Sequence, residues 1–459
     1  MTRKVIILLL ISSLFLAACG TDQAGSDMPE TDQDVLEISL PEISTEKIIE
    51  ATYDFSSDAV LAVELIEAVH PIFILEGRLP LYYEDFREEF LTYTSTPITR
   101  TEFVLAIMRF QTALHDLHAF IYNPEFNTLY IAEPFIAREG RLYLSQEPNI
   151  RVLAIGGVDV ADIFFQIDRH HFHENDTARM LNYRLYTRKL LYLLLAGAQI
   201  YYEGYRPYIC LTLLEGEGVI TRAVGFSTTL TYAWPPAAKY IIRHEIIGDV
   251  FLIDLRSATE GPHIDYVAED IKKAIADGIW KFIIDVRGNS GGSSLPGRMM
   301  FEAMGLTMPA SGAVRRISRQ AADNMRVRGF EPPDFFDTDM EYIYQHPDLT
   351  TAQNPNGVFI SVLTDNFTAS AATEIGFLVA DGNFGNIVGE PSANAPSLFG
   401  ISQPYTLPES QIILSISEAW IERPDSNADH RTLYPDILAE ACCALDVALE
   451  YLCSLEIRN

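Results

Sequence analysis

The sequence has little positive charge. It contains 33 lysine and arginine residues against 63 aspartate and glutamate residues, a formal net charge of −30. Such a chain repels phosphate instead of releasing counterions from it, so nucleic acid is excluded as a predicted partner. No lysine follows Lys281. Any chemistry that needs a lysine base is therefore excluded from the C-terminal part of the chain.

Cysteine is also scarce. The five cysteines show no metal-type spacing and are too few for a disulfide scaffold. Disulfides and buried free thiols both remain open for the four that follow the N-terminal segment: Cys210, Cys442, Cys443 and Cys453. The hydrophobic fraction of 48% excludes a disordered chain, and no internal repeat is present. At roughly 100 to 200 residues per domain, the length predicts two to four domains, enough for an enzyme.

The N-terminus has the layout of an export signal. Arg3 and Lys4 precede an apolar run from Val5 to Leu16, which is too short to span a bilayer alone. The order Leu16-Ala17-Ala18-Cys19-Gly20 resembles the lipobox of bacterial lipoproteins, in which the cysteine becomes the lipidated first residue. The resemblance implies a cell-membrane protein, lipid-anchored through Cys19 on the extracytoplasmic side. The alternative is an ordinary cleaved signal with a chance cysteine.

Composition and the patterns of predicted helices and strands divide the chain into five regions. We expect a signal peptide at 1–18, a lipidated acidic linker at 19–44, a helical N-terminal region at 45–120, a mixed β-rich region at 121–247 and a core at 248–459. Thr99 and Glu102 form a capping box before an apolar helix. The core alternates strands and helices, so the predicted fold class is α/β, in an α+β multidomain chain.

Two loops in the core come directly after buried strands, and ligand sites form at such strand ends. The strands are predicted at 250–255, 281–286 and 358–363, and the helices at 264–276, 295–304 and 369–379. The first loop, from Asp285 to Gly292, is rich in glycine and leaves backbone N–H groups free to bind a phosphate or an oxyanion. It matches neither the phosphate-loop nor the dinucleotide pattern.

The second loop places a serine at the start of a helix. Ser370 stands between Ala369 and Ala371, where the helix N-terminus favours negative charge. Its hydroxyl either acts as a nucleophile or, as commonly happens at this position, caps the helix.

Together the two loops resemble the C-terminal processing, or tail-specific, serine peptidase family. The matching segments, in order, are Asp285-Val286-Arg287-Gly288-Asn289-Ser290-Gly291-Gly292, Thr368-Ala369-Ser370-Ala371, Val388-Gly389-Glu390-Pro391-Ser392 and Tyr434-Pro435-Asp436-Ile437. The resemblance covers about 248 to 440. It implies a crotonase-like ββα core, a hydrolase acting on polypeptides, and no cofactor or metal. Ser370 would be the nucleophile, Ala371 with Gly291 or Gly292 would supply the oxyanion hole, and Glu374 would support the site.

The chain departs from the family at the base. Better-known members use a lysine, and Ala395 occupies its place here. Arginine cannot be deprotonated, so a replacement base should be one of the ten histidines. His118, in Asp116-Leu117-His118, resembles the upstream Asp-x-His turn of tricorn-like members, which implies that His118 is the base and that Asp116 supports it. The alternative is a helix-terminal histidine bonded to backbone carbonyls.

Two other segments carry weaker signals. The run His170-His171-Phe172-His173-Glu174 lacks the spacing of zinc enzymes and is interpreted as a solvated loop. Residues 152–160 resemble the second half of a PDZ-type module, so the middle region is described as partly PDZ-like, with the presence of a whole domain left open.

The sequence thus predicts an exported, membrane-anchored serine endopeptidase that hydrolyses unfolded or extended polypeptides, with Ser370 and His118 as its catalytic pair. A catalytically inactive peptide-binding lipoprotein of the same fold is the alternative, because the lysine is absent. A third reading, acyl-CoA chemistry on a crotonase-like fold, is disfavoured by the Ala-Ser-Ala loop.

Overall fold

The computed structural model describes residues 51–122, 129–228, 242–256, 263–338 and 340–455. The predicted signal peptide, the predicted lipidation site Cys19 and the whole acidic linker predicted at 19–44 therefore lie outside the described residues. Within these ranges, none of the helices has the length and apolar character that a bilayer-spanning segment needs.

The N-terminal region is helical. Its helices are α1 (Ser56–Val69), α2 (Tyr83–Thr94) and α3 (Arg100–Gln111), with short 3₁₀ turns at Pro71–Phe73 and Thr112–Leu114. A two-stranded ladder joins β1 (Thr52–Tyr53) to β2 (Ile98–Thr99), and β3 (Ile121–Tyr122) ends the region. The capping box is present as predicted, because Thr99 and Glu102 satisfy each other's backbone N–H groups at the start of α3.

The middle region is an antiparallel sheet covered by three helices. The strands are β4 (Tyr130–Ile131), β5 (Phe135–Arg138), β6 (Arg141–Leu144), β7 (Arg151–Ile155), β8 (Val158–Asp159), β9 (Tyr201–Glu203), β10 (Arg206–Glu215) and β11 (Gly218–Ser227). They run in the order β4-β11-β10-β7-β6-β5, with β8 beside β7 and β9 beside β10. The helices are α4 (Val160–His170), α5 (Asp176–Tyr186) and α6 (Leu190–Ala196).

The prediction of a solvated loop at 170–174 was wrong. His170 is buried at the end of α4, where its Nδ1 lies 2.7 Å from the Gln166 carbonyl oxygen. His171 is half-buried, stacks on Tyr186 and contacts the Tyr192 hydroxyl. Burial lowers the pKa of both histidines, to about 4 for His170, so both rings are neutral at physiological pH.

The core is built on a six-stranded sheet. Its strands are β12 (Arg243–Ile247), β13 (Val250–Asp254), β14 (Lys281–Asp285), β17 (Phe359–Thr364), β18 (Gly385–Gly389) and β21 (Ile437–Leu438), in that spatial order. All neighbours pair in parallel except β12 with β13. One face packs on α7 (His263–Ala276), α8 (Leu295–Ala303) and α10 (Ala371–Asp381), and the other on α11 (Ala444–Ser454).

A second core sheet packs on the N-terminal helices. It consists of β15 (Gly312–Arg316), β16 (Tyr342–Gln345), β19 (Leu398–Thr406) and β20 (Ile413–Glu422), with β3 paired to β20. Helix α9 (Arg319–Val327) lies against it. One buried cluster combines residues of α1 and α3, such as Ile66 and Phe103, with Leu414 and Trp420 of β20. This shared cluster fixes the N-terminal region against the core.

Candidate active site

Ser370 has a backbone conformation that keeps its hydroxyl out of the helix cap. It stands at the N-cap of α10 with φ 53° and ψ −125°, and its side chain makes no capping hydrogen bond. A non-glycine residue at positive φ costs on the order of 1–3 kcal/mol and persists only where its surroundings hold it. Here the Ser370 N–H donates to Asn394 Oδ1 at 2.7 Å. The alternative of a helix-capping serine therefore does not describe Ser370.

The side chain of His118 contacts that of Ser370. Its Nε2 lies 3.1 Å from Ser370 Oγ, although the two residues are 252 positions apart. The turn that carries His118 lies between the 3₁₀ turn at Thr112–Leu114 and β3, and the Ser415 N–H of β20 donates to the Phe120 carbonyl at 2.7 Å. The pairing of β3 with β20 thus brings the predicted base to the predicted nucleophile.

Asp116 is buried beneath His118. Its Oδ1 accepts the His118 backbone N–H at 2.7 Å and lies 3.8 Å from His118 Nδ1. Its Oδ2 accepts from Ser417 Oγ at 2.7 Å. Burial alone would raise the pKa of Asp116, but hydrogen bonding from His70 and Ser417, with the electrostatic influence of His70 and His118, outweighs it and holds the pKa below its usual value. Asp116 is therefore an anion in the folded protein.

His70 is the second partner of that carboxylate. Its Nδ1 accepts the Ile72 backbone N–H at 3.2 Å, so the proton of the neutral ring lies on Nε2. Nε2 then donates to Asp116 Oδ2 at 3.1 Å, and both side chains are fully buried. In the same way, a His118 that accepts the Ser370 hydroxyl proton on Nε2 carries its own proton on Nδ1, on the side of Asp116. Among the described residues, His118 Nδ1 has no hydrogen-bond partner, and the carboxylate that faces it is Asp116, with Oδ1 at 3.8 Å.

The glycine-rich loop is held by a buried ion pair. Arg287 donates to both carboxylate oxygens of Asp285, at 2.8 and 2.6 Å, and also contacts the Ala441 carbonyl. The loop is tied to the serine loop because Gly288 N–H donates to Asp365 Oδ1 at 2.9 Å and Ala369 N–H donates to the Asn289 carbonyl at 3.0 Å. These bonds set the distance between the two loops.

The predicted oxyanion donors lie together beside Ser370. A Cβ placed on Gly291 would stand 2.6 Å from Ser370 Cβ and 3.2 Å from the Ala371 nitrogen, so only glycine allows this approach. The Gly291 N–H already donates to Asn289 Oδ1 at 2.9 Å. The other two predicted donors are the N–H groups of Gly292 and Ala371, the latter at the start of α10, where backbone N–H groups lack helical acceptors.

Glu374 lies one turn into α10 and faces the end of the glycine-rich loop. Its carboxylate contacts the Ser294 hydroxyl at the start of α8. Burial raises the pKa of Glu374, while Ser294 and Arg298 act in the opposite direction. Glu374 thus links α10 to the start of α8 and holds the two helices together.

Four residues around the site were not singled out from the sequence as site residues: His70, Ser417, Asn394 and Glu174. His70 and Ser417 reach Asp116 across 46 and 301 positions. Asn394 and Glu174 meet at Ala395, whose N–H donates to Glu174 Oε2 at 2.8 Å. No local sequence pattern marks such contacts.

The described part of the chain contains a single cluster of three or more potential metal ligands, which includes neither Ser370 nor His118. This group, Glu440, Cys442 and Cys443, has its ligand atoms within 4.8 Å of one another, and all three residues are exposed. Cys210, Cys442, Cys443 and Cys453 are free thiols, and only Cys210 is half-buried.

Known proteins share this architecture. Residues 250–439 match the model of peptidase family S41. The structure of mature CPAF complexed with lactacystin is 14% identical, with 87% of this chain and 96% of that chain covered and a TM-score of 0.60. A second structure of mature CPAF is 15% identical, with 87% and 95% covered and a TM-score of 0.55. The photosystem II D1 C-terminal processing protease is 11% identical, with 85% and 94% covered and a TM-score of 0.43. No curated protein sequence matches the chain.

The α/β core, with a serine at the start of a helix beside a glycine-rich turn, defines a hydrolase fold of the serine peptidase type. The core at 250–439 is therefore similar to peptidase family S41, the family of C-terminal processing peptidases.

Proposed function

We propose that this protein is an active serine endopeptidase that uses Ser370 and His118 in place of a serine–lysine pair. The observation that carries the proposal is the 3.1 Å distance between His118 Nε2 and Ser370 Oγ. This distance is within the hydrogen-bond reach that a general base needs.

In the proposed reaction, His118 accepts the hydroxyl proton while Ser370 Oγ attacks the peptide carbonyl carbon. Gly292 and Ala371 N–H groups stabilise the oxyanion, and His118 then returns the proton to the leaving amine. A water molecule hydrolyses the acyl-enzyme in the same way. General base catalysis contributes about 10²- to 10⁴-fold, and one oxyanion donor about 10²- to 10³-fold.

In the proposed mechanism, Asp116 stabilises the protonated form of His118. The buried carboxylate is held by three donors, from His118, His70 and Ser417. A fixed anion on the Nδ1 side of His118 stabilises the imidazolium that forms when Nε2 takes the proton. A chain that had lost catalysis would not require this arrangement.

The proposed substrate is an extended or unfolded polypeptide, which matches the substrate class of the peptidase family. The proposed place of action is the outer face of the cell membrane, with the chain tethered through a lipidated Cys19. The support for the tether is the Leu16-Ala17-Ala18-Cys19-Gly20 motif.

The test is cleavage of a fluorescently labelled unfolded protein by the chain that begins at residue 19. We expect Ser370→Ala and His118→Ala to lose activity by at least about 10²-fold. The matched controls are Ser454→Ala and His346→Ala, which alter an exposed serine and an exposed histidine and should cleave like the wild type.

An inactive peptide-binding lipoprotein remains the second candidate, because Ala395 stands where the family lysine is expected. It predicts that the wild type and Ser370→Ala bind an extended peptide equally well and that neither cleaves it. That result, obtained with folded protein, would refute the peptidase proposal.

A further inference from the structure

Glu174 comes from the middle region and reaches the segment in which the family lysine is expected. It follows α4, and its Oε2 accepts the Ala395 N–H at 2.8 Å from 221 positions away. The neighbouring Asn394 accepts the Ser370 N–H at 2.7 Å. Only Asn394 therefore lies between the Ala395 backbone, which Glu174 binds, and the Ser370 backbone, which the Asn394 amide oxygen binds.

The same carboxyl group also acts on the turn that carries the base. A hydrogen bond from the backbone N–H of Leu117 lowers the pKa of Glu174, and the negative charge of Asp116 raises it. Leu117 lies between Asp116 and His118. Glu174 therefore stands between the two halves of the catalytic pair, although it belongs to neither of the regions that supply them.

We propose that Glu174 is a positioning residue that joins the His118 turn to the loop that supports Ser370. The proposal rests on the proposed peptidase function and deepens it, since it makes the middle region a part of the catalytic unit. Glu174 touches neither substrate nor reacting atoms. It acts by fixing Leu117 and Ala395, and through them the distance between His118 Nε2 and Ser370 Oγ.

Burial has the largest effect on the pKa of Glu174, and few ionisable groups face it. Asp116 and His118 belong to the facing turn, and His173 precedes Glu174 on its own loop. The segment from Ser392 to Ser397 contains no ionisable side chain. Burial raises the pKa of Glu174 to about 8, with Asp116 acting in the same direction and the two backbone N–H groups against it.

Ionisation of this group has a defined consequence for catalysis. Below pH 8 Glu174 is mostly protonated, and above it a second negative charge appears beside the His118 turn. That charge favours the imidazolium formed during catalysis. We expect kcat/KM of the wild type to rise through pH 8, and we expect Glu174→Gln, which keeps the shape and cannot ionise, to lack this rise.

The kinetic test separates position from charge. Glu174→Ala removes the contacts to both backbones, so kcat should fall on the order of tenfold to a hundredfold while KM changes less than about twofold. Glu174→Gln should retain most of kcat at pH 7. The matched control is Glu133→Gln, which alters another half-buried glutamate of the middle region whose pKa burial also raises, but whose neighbours are Arg222, Glu147 and Arg188. This control should match the wild type in both kcat and pH profile.

A second measurement needs no activity. Because the folded protein holds the Glu174 proton more tightly than the unfolded chain, wild-type stability should fall as pH rises from the ordinary glutamate pKa of 4.5 to about 8. Glu174→Gln lacks this loss, so the melting temperature of the variant should increase relative to that of the wild type as pH rises. The ring ¹⁵N signals of His118 should also shift in Glu174→Ala and stay in place in Glu133→Gln.

The outcomes distinguish this proposal from the one on which it rests. Cleavage that needs Ser370 but is equal in wild type, Glu174→Ala and Glu174→Gln at all pH values would overturn the role of Glu174 and leave the peptidase function intact. Absence of cleavage, with the stability and ¹⁵N shifts as expected, would refute the function and support the positioning contact. Parallel stability curves and unmoved His118 signals would overturn the contact itself.

Discussion

One buried carboxylate organises the site at the scale of single residues. Asp116 accepts hydrogen bonds from the His118 backbone, from His70 and from Ser417, and all of them leave it ionised. A buried anion is costly unless donors surround it. The three donors meet that cost here, so the negative charge remains available to stabilise a His118 imidazolium.

Replacing Asp116 by asparagine should therefore disable catalysis while leaving the fold intact. The amide would keep the volume of the side chain but lose the charge, and we expect kcat to fall about 10²- to 10⁴-fold with KM little changed. Steady-state kinetics on a peptide substrate measure this. Ser417→Ala, which removes one donor and keeps the carboxylate, should cost much less. An Asp116→Asn enzyme within about threefold of the wild type would contradict the role of the charge.

Some residues of the site could be predicted from the sequence and others could not. The pair Ser370 and His118 was predicted because each lies in a short motif of a known family. His70 and Asn394 were not, since a histidine after a helix and an asparagine in a loop are common and only tertiary contacts bring them to the site. Glu174 was assigned to a solvated loop, and packing of α4 and α5 against their neighbours places it beside Ala395 instead.

At the scale of elements, the predicted core strands and helices agree with the structure to within about two residues at each boundary. Buried parallel strands such as β14 and β17 are mostly apolar and lack the alternation of half-exposed strands, which the sequence displays directly. Helix α4 was missed, although Val160, Ile163, Phe164 and Ile167 follow helical spacing and are buried.

The glycine-rich turn should be the element least tolerant of an added methyl group. Gly291 has φ +100° and would place a Cβ 2.6 Å from Ser370 Cβ, whereas Gly157 has φ +80° and open space around it. Each alanine variant is strained at positive φ, by about 1–2 kcal/mol. Only Gly291→Ala should also displace Ser370, so we expect kcat to fall at least about tenfold in that variant and to stay near wild type in Gly157→Ala. Equal kcat values in two folded variants would contradict the close approach.

The ion pair at the base of that turn should be important for stability. Arg287 is 3% exposed and bonds both oxygens of the equally buried Asp285. Arg287→Met leaves a buried carboxylate without its main partner, which costs about 3–5 kcal/mol. Urea unfolding followed by circular dichroism measures the loss. Arg319→Met, at an exposed pair with Asp323, should change the free energy of unfolding by less than about 1 kcal/mol. A loss at Arg287 no larger than at Arg319 would show that the pair is not structural.

At the scale of the whole molecule, the site is assembled from three regions. The proposed base comes from the N-terminal region, the proposed nucleophile and oxyanion donors from the core, and Glu174 from the middle region. The buried cluster shared by α1, α3 and β20 holds the first two together. No lysine follows Lys281, and the base that we propose in place of a lysine, His118, lies in the N-terminal region.

This assembly makes the site independent of the proposed anchor, because the site residues lie between His70 and Ser417 and the lipidated residue would be Cys19. We expect wild-type protein in the membrane fraction of the producing cell, and Cys19→Ser outside the membrane, since an unlipidated chain has no acyl chains to insert. Cleavage per molecule that depends on Ser370 should be unchanged in Cys19→Ser. Cys453→Ser, at an exposed cysteine of α11, is the matched control and should stay membrane-bound. Retention of Cys19→Ser in the membrane would refute the anchor, and loss of its activity would show that residues ahead of position 51 contribute to the catalytic unit.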